Sequence, residues 1–167
     1  KDLHFPEAAE EFIKDKSIIK SSDFPLAKLA SEINSNMPKH CLNFFKKRIT
    51  NDSNLLFMGI AYRQDVGDIR FSASKELIKM LVDNNLTVDC FDPMVDYSNC
   101  KELNLLSDLP DPSNYSVVVL AVKHSMFRKL DYNKWLHNFS GTLIDSNYVL
   151  SGNDLRNLKK LGIMETI

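Results

Sequence analysis

From residue 54 onward the chain alternates short apolar runs with amphipathic stretches, and the first such run sets the terms for the rest. Leu55-Leu56-Phe57-Met58 ends at Gly59, a polar loop runs to Ser72, and an amphipathic stretch begins at Ala73. Strand, glycine-opened loop and helix make the first half of a crossover unit. The same alternation recurs, with strands expected at 54–60, 86–91, 116–122, 141–145 and near 163–166. Helices are expected at 73–84, 125–138 (as a broken helix) and 153–161. Strands alternating with helices predict right-handed connections and a parallel sheet, the α/β class. Asp92-Pro93 and the Pro110-Asp111-Pro112 cluster mark loops at strand ends.

Residues 1–50 read differently, as helix throughout. Pro6 followed by Glu7-Ala8-Ala9-Glu10-Glu11 suits a helix start, with proline first and acids in the opening turn. Ser22 or Asp23 would cap a longer second helix through Leu26, Leu29, Ile33, Met37, Cys41 and Phe44/Phe45, close to a 3.6-residue stripe. Pro38 is expected to kink or interrupt it. A striped helical pair with no sheet of its own must bury that stripe on the following domain, on a further domain or on a second copy of the chain. The chain therefore divides into a helical segment, 1–50, and an α/β domain, 51–167.

The bulk numbers exclude several classes. At 167 residues and 44% apolar the chain can build a real core, and a formal charge of −1 implies no basic face for nucleic acid. No apolar run approaches the ~20 residues that cross a bilayer, and no signal-peptide pattern opens the sequence. Cys41, Cys90 and Cys100 are odd in number and lack C-x-x-C spacing, so they read as reduced thiols of a cytoplasmic protein, with neither disulfide framework nor metal site.

The loop between Gly59 and Ser72 carries Arg63 and Arg70. It leaves a strand at its carboxyl end, where ligands of parallel sheets sit. The sequence has no G-x-G-x-x-G and no G-x-x-x-x-G-K-[ST] there. A phosphate held by this loop would be held largely by guanidinium groups. An ordinary dinucleotide-binding reading is disfavoured for the same reason, although Asp92 stands about where a ribose-binding acid would.

Gly59, Ala61, Tyr62, Arg63, Asp65, Asp68, Arg70 and Ser72, then Phe91-Asp92-Pro93, resemble the third domain of the UDP-glucose/GDP-mannose dehydrogenase family. The pattern there is roughly G-x-[AT]-[YF]-K-x-[DN]-x-x-D-x-R-x-S after a strand. Val117 through His124, with Phe127, resembles the next strand and its turn, and Asp145 the aspartate that ends the fourth. Glu32 through Pro38 is similar to the I-N-D-x-M-P stretch of the central helix, which joins two domains and forms the dimer. Lys1-Asp2 resembles the Lys-Asp just downstream of the catalytic cysteine. The resemblance implies a Rossmann-like parallel sheet with flanking helices, preceded by an α-helical dimerisation segment. It also implies a part in oxidising the C6 hydroxyl of a UDP-sugar to a carboxylate, with NAD as oxidant and a cysteine thioester.

Carried over residue by residue, the resemblance places Arg63 where the family has a lysine on the sugar-nucleotide diphosphate. The exchange preserves charge and adds a bidentate donor. It places Tyr62 on the uracil face, Arg70 toward the NAD of another domain, and Asp2 beside the water and lysine of thioester chemistry. Ser72 is expected to cap the following helix rather than touch ligand. Asn147 departs from the pattern, standing where the family carries a phosphate-binding arginine; the resemblance then implies either weaker binding or compensation by Lys123 or Arg128. His124 has no acid near it in sequence and reads as structural; its position, with Met37-Pro38, resembles the N-acetylhexosamine branch more than the glucose branch. Cys41 lies on a helical stripe and does not replace the catalytic cysteine. By itself the chain is expected to bind UDP-sugars weakly and not to reduce NAD. The alternatives are a free-standing module that senses a uridine nucleotide, or a dimerisation module with no catalytic role.

Overall fold

The computed structural model describes residues 25–50, 52–96, 98, 100–160 and 164–166. The helix expected from Pro6, the caps at Ser22 or Asp23, and Asp2 lie outside the described residues. The chain divides into two compact units, Lys1–His40 and Cys41–Ile167.

Helix α1, Pro25–Lys46, is continuous through Pro38, so the expected interruption does not occur. An interior proline removes its own N–H from the ladder and crowds the carbonyl four residues back, and this helix carries that cost without ending at Pro38. In the turns before it, Ser35 Oγ donates to the Ser31 carbonyl (2.8 Å) and Asn36 Nδ2 to the Glu32 carbonyl (2.9 Å). The apolar stripe has two fates. Leu26, Leu29, Ile33 and Met37 are exposed, whereas Phe45 is buried, its ring centroid 6.0 Å from that of Phe57.

The second unit holds a six-stranded sheet in the order β3-β2-β1-β4-β5-β6, with every pairing parallel. Its strands are β1 (Asn54–Met58), β2 (Thr87–Phe91), β3 (Asn104–Leu105), β4 (Val117–Leu120), β5 (Thr142–Asp145) and β6 (Met164–Thr166). The chain starts in the middle, winds outward to β3, and returns to lay β4 on the other side of β1. The strand order reverses between β1 and β4, so their carboxyl ends flank the topological switch point.

The central strands are apolar on both faces because both faces are covered. Leu55 and Phe57 of β1 join one core with Leu77, Ile78 and Leu81 of α2 (Ala73–Asp83) and with Phe45. Leu56 and Met58 join the other core with Phe127, Tyr132 and Leu158. These three come from α3 (Ser125–Arg128), α4 (Tyr132–Trp135) and α5 (Gly152–Lys160). Ser72 caps α2 as expected, its side chain accepting from the Lys75 N–H at 3.2 Å.

The break expected within 125–138 falls between α3 and α4. There Asp131 caps α4 by accepting from the Lys134 N–H (3.2 Å), and the buried Tyr132 hydroxyl donates back to the Phe127 carbonyl (3.0 Å). Strand β3 was not anticipated. It is two residues long, too short to show alternation, and exists through its register with Asp89 and Cys90.

Candidate functional site

The loop after β1 is built by removing a side chain. Gly59 sits at φ +99°, and a Cβ there would fall 2.5 Å from the Val122 Cβ. Glycine both permits this backbone and lets the segment after β4 approach the end of β1. The expected strand 54–60 stops at Met58 for this reason.

Beyond Gly59 the backbone donors turn to a side chain. Asp92, directly after β2, is buried and accepts at Oδ2 from the N–H groups of Ile60 (2.7 Å) and Ala61 (2.9 Å). Its Oδ1 accepts from the Met94 N–H at 2.9 Å. Oδ2 also meets His124 Nε2 at 3.1 Å. Burial by itself would push this carboxyl up, but donation from His124, Met94 and Ile60 outweighs it and holds Asp92 below the ordinary carboxylate range. Its side chain is wholly buried and both oxygens already accept from the protein, so Asp92 is not presented to a ribose. The dinucleotide-binding reading fails here on geometry as well as on its missing glycines.

His124 is fully buried, and the Asp65 N–H donates to its Nδ1 at 2.9 Å. An accepting Nδ1 leaves the ring proton on Nε2, where it is donated to Asp92. The Asp65 carboxylate meanwhile accepts from the Ser125 N–H (2.8 Å), the Ser125 hydroxyl (2.6 Å) and the Gln64 amide (3.0 Å). The Ser125 hydroxyl and N–H are the main reason its pKa falls to about 2. Gly67 closes the far side of the loop, where a Cβ would land on the Met94 carbonyl oxygen.

On this frame Tyr62 and Arg63 are exposed, with the Tyr62 N–H donating to the Asp68 carbonyl at 2.7 Å. Arg70 is paired within the loop: its Nε and Nη2 reach the two Asp68 carboxylate oxygens at 2.9 and 2.8 Å. The Arg70 hydrogen bond is the first cause that lowers the Asp68 pKa, to about 2. The pair takes two guanidinium donors and leaves Nη1 for another acceptor.

Asn147 lies on the loop after β5, at the same carboxyl edge. Its Nδ2 donates to the Ala121 carbonyl at 3.1 Å, tying that loop to the end of β4. The buried Asp145 shapes the loop by accepting from the N–H groups of Val149 (2.9 Å) and Leu150 (3.0 Å). Lys123, half-buried, and Arg128, exposed, stand on the segment after β4. Of four described non-glycine residues with positive φ, three border this edge: Asp65 (54°), Phe71 (58°) and Tyr148 (51°). Such backbone costs on the order of 1–3 kcal/mol per residue and persists where surrounding bonds over-determine it. A cleft of about 480 Å³ between Pro110, Asp111, Trp135 and His137 belongs to the opposite edge, where the chain enters β4 and β5.

Sequence reasoning brought Tyr62, Arg63 and Asn147 to one edge, and the parallel topology keeps them there. It missed the partnership of His124 with Asp92 and Asp65. The available signal was positional: a histidine and an aspartate after the two strands that flank β1, with a glycine between them. Among the described residues no group of three or more His, Cys, Asp or Glu is placed to hold a metal ion, and no helix is long and apolar enough to cross a membrane.

The sequence profile of the UDP-glucose/GDP-mannose dehydrogenase family's UDP-binding domain matches residues 56–151. The UDP-N-acetyl-D-mannosamine dehydrogenase of Methanococcus maripaludis is 31% identical over 115 residues, 66% of this chain and 26% of that protein. The UDP-N-acetyl-D-glucosamine 6-dehydrogenase of Pseudomonas aeruginosa is 30% identical over 88 residues, 51% of this chain and 21% of that protein. The chain thus matches about a quarter of the length of such relatives. Among solved structures, the UDP-D-ManNAc dehydrogenase of Pyrococcus horikoshii superposes with a TM-score of 0.67 at 21% identity, over 90% of this chain and 35% of that one. The NDP-N-acetyl-D-galactosaminuronic acid dehydrogenase of Methanosarcina mazei gives 0.71 at 18% identity, over 95% of this chain and 35% of that one. These structures share the α/β fold, and with the profile spanning the glycine loop, the Asp92 turn and the Asp145 loop, the chain belongs to the UDP-glucose/GDP-mannose dehydrogenase family.

Proposed function

We propose that this chain is the sugar-nucleotide-binding part of an NAD-dependent UDP-sugar 6-dehydrogenase of the cytoplasm, acting on a UDP-N-acetylhexosamine. The observation that carries the reading is the loop 59–72, pinned through its backbone at the switch point while Tyr62 and Arg63 face outward. Arg63 takes the diphosphate, Tyr62 packs on the uracil, and Asn147 adds an amide where the family has a cation. Relatives named for N-acetylmannosamine and N-acetylglucosamine substrates support the hexosamine assignment. The proposed division is a helical segment, 1–50, that pairs two copies through the Leu26–Met37 stripe, and a nucleotide-binding domain, 51–167.

The residues at this switch point do not fit NAD. The loop lacks a glycine-rich cradle and Asp92 is fully engaged. NAD belongs to another domain, toward which Arg70 would offer its remaining donors and near which Asp2 would assist the chemistry. Nor do the three thiols suit thioester formation. Burial raises the pKa of Cys90 strongly and that of Cys41 and Cys100 as well, away from the reactive thiolate. This stretch binds; it does not oxidise.

Calorimetric titration with UDP, GDP and NAD tests the assignment. UDP is expected to bind, GDP and NAD to give no signal, and Arg63→Ala to weaken UDP about tenfold or more, the loss of a charge-assisted phosphate contact. UDP that gives no heat at millimolar concentration would remove the site reading and leave a dimerisation module.

A further inference from the structure

Tyr62 and Arg63 lie between two anchor points of one short segment. At one end the Ile60 and Ala61 N–H groups end on Asp92 Oδ2; at the other the Asp65 N–H ends on His124 Nδ1. The two anchors are joined through the ring, because His124 Nε2 meets that same Asp92 oxygen at 3.1 Å. A fully buried imidazole and a buried carboxylate thus fix the distance between residues 60 and 65. Asp65 holds left-handed backbone at φ 54°, and its side chain is fastened to Ser125, the residue after His124.

We propose that His124 is a positioning residue of the nucleotide site: held by Asp92 in the form that accepts at Nδ1, it clamps the far end of the Ile60–Asp65 segment and so aims Tyr62 and Arg63. This rests on the UDP-site reading above. A ring that merely filled the core would contribute to stability and to nothing else. The clamp makes the two nitrogens separable. The Nδ1 bond sets the loop, and hence affinity; the Nε2 bond satisfies a buried carboxylate, and hence serves stability.

Two variants divide these roles, since the asparagine amide reaches the position of Nδ1 and the glutamine amide that of Nε2. His124→Gln keeps a donor for Asp92 and loses the Asp65 tie. It is expected to raise the UDP dissociation constant about tenfold with the smaller fall in melting temperature. His124→Asn keeps an acceptor for Asp65 and is expected to bind within about threefold of the parent, with the larger fall in melting temperature. Opposite ranking in affinity and in stability is the signature. Nitrogen spectra of the parent imidazole should show the proton on Nε2, and the Asp65 amide should exchange about tenfold faster in His124→Gln than in the parent. Affinity that follows melting temperature in both variants, or unchanged UDP binding in His124→Gln, overturns the clamp while leaving the site. A parent that binds no UDP overturns the site reading instead, and the Asp65 amide exchange then judges the clamp separately.

Discussion

Replacing Asp92 by asparagine removes one charge and no volume, so its effect isolates the polar frame under the loop. The carboxylate accepts from four donors: Ile60 N, Ala61 N and His124 Nε2 on Oδ2, and Met94 N on Oδ1. An amide has one oxygen. Placed at the Oδ2 position, that oxygen keeps three neutral bonds but turns the NH2 toward the Met94 N–H. The opposite orientation sets the NH2 against three donors. His124 cannot rescue it by moving its proton to Nδ1, because Nδ1 already accepts from the Asp65 N–H. The better orientation loses one charge-assisted bond and leaves a buried N–H unpaired, on the order of 3 kcal/mol once relief from burying a charge is set against it. In the unit Cys41–Ile167 this corresponds to a melting temperature about 10 °C lower at neutral pH. Thermal unfolding followed by circular dichroism measures it, with the exposed Asp108→Asn as a control expected within about 0.5 kcal/mol of the parent. An Asp92→Asn variant that melts within about 2 °C of the parent would refute the claim that this carboxylate is the shared acceptor of the loop.

Gly59→Ala is expected to cost on the order of 3 kcal/mol or more, since the new methyl meets Val122 and the residue must hold φ +99°; urea unfolding reads the loss, and a midpoint near the parent's would contradict the close approach. Tyr132→Phe removes a buried hydroxyl that donates to the Phe127 carbonyl and should destabilise by about 1 kcal/mol, checked the same way. Acidification should loosen the loop. The folded pKa values of Asp65 and Asp68 are depressed to about 2, so their contribution is complete above the unfolded value of ~3.9 and lost as pH falls from there through about 2. Amide spectra of residues 60–72 should broaden or shift across that window in the parent, and less so in Asp65→Asn.

Which parts of the molecule could be read in advance follows from the range of the forces involved. The sheet was legible because buried parallel strands leave continuous apolar runs. Leu55 through Met58, Val117 through Leu120 and Thr142 through Asp145 are strands within two residues at either end of where the runs placed them. The two-residue β3 was not, because its existence depends on partners fifteen positions away, Asp89 with Asn104 and Cys90 with Leu105. Helix α1 was legible by its stripe, but its continuity through Pro38 was not, since local sequence shows the cost of an interior proline and not whether the rest of the helix offsets it. Arg70 shows the limit at the site. The loop sequence does not fix a partner for it, whereas the structure pairs it with Asp68 through two donors at once.

The polar frame explains why a fold with dinucleotide-binding topology carries a different site at its switch point. In the ordinary arrangement the first turn presents glycine N–H groups to a pyrophosphate and the acid after the second strand accepts from ribose. Here the Ile60 and Ala61 N–H groups and that acid, Asp92, end on each other. An anion at this edge would find those two N–H groups already taken, and the proposed role of Arg63 follows from that: its exposed side chain stands on a loop whose first backbone donors are satisfied. The same logic bears on Asn147. One hydrogen of its amide goes to the Ala121 carbonyl, so it braces the β5 loop against β4 and has only neutral groups left to offer where a cation would stand. Asn147→Arg would supply the cation and release the brace. Tighter UDP binding with a lower melting temperature is the expected result of that substitution, measured by titration and thermal unfolding. Unchanged stability would mean the Ala121 contact braces nothing, and weaker binding would mean the loop must stay tied for the edge to receive a phosphate at all.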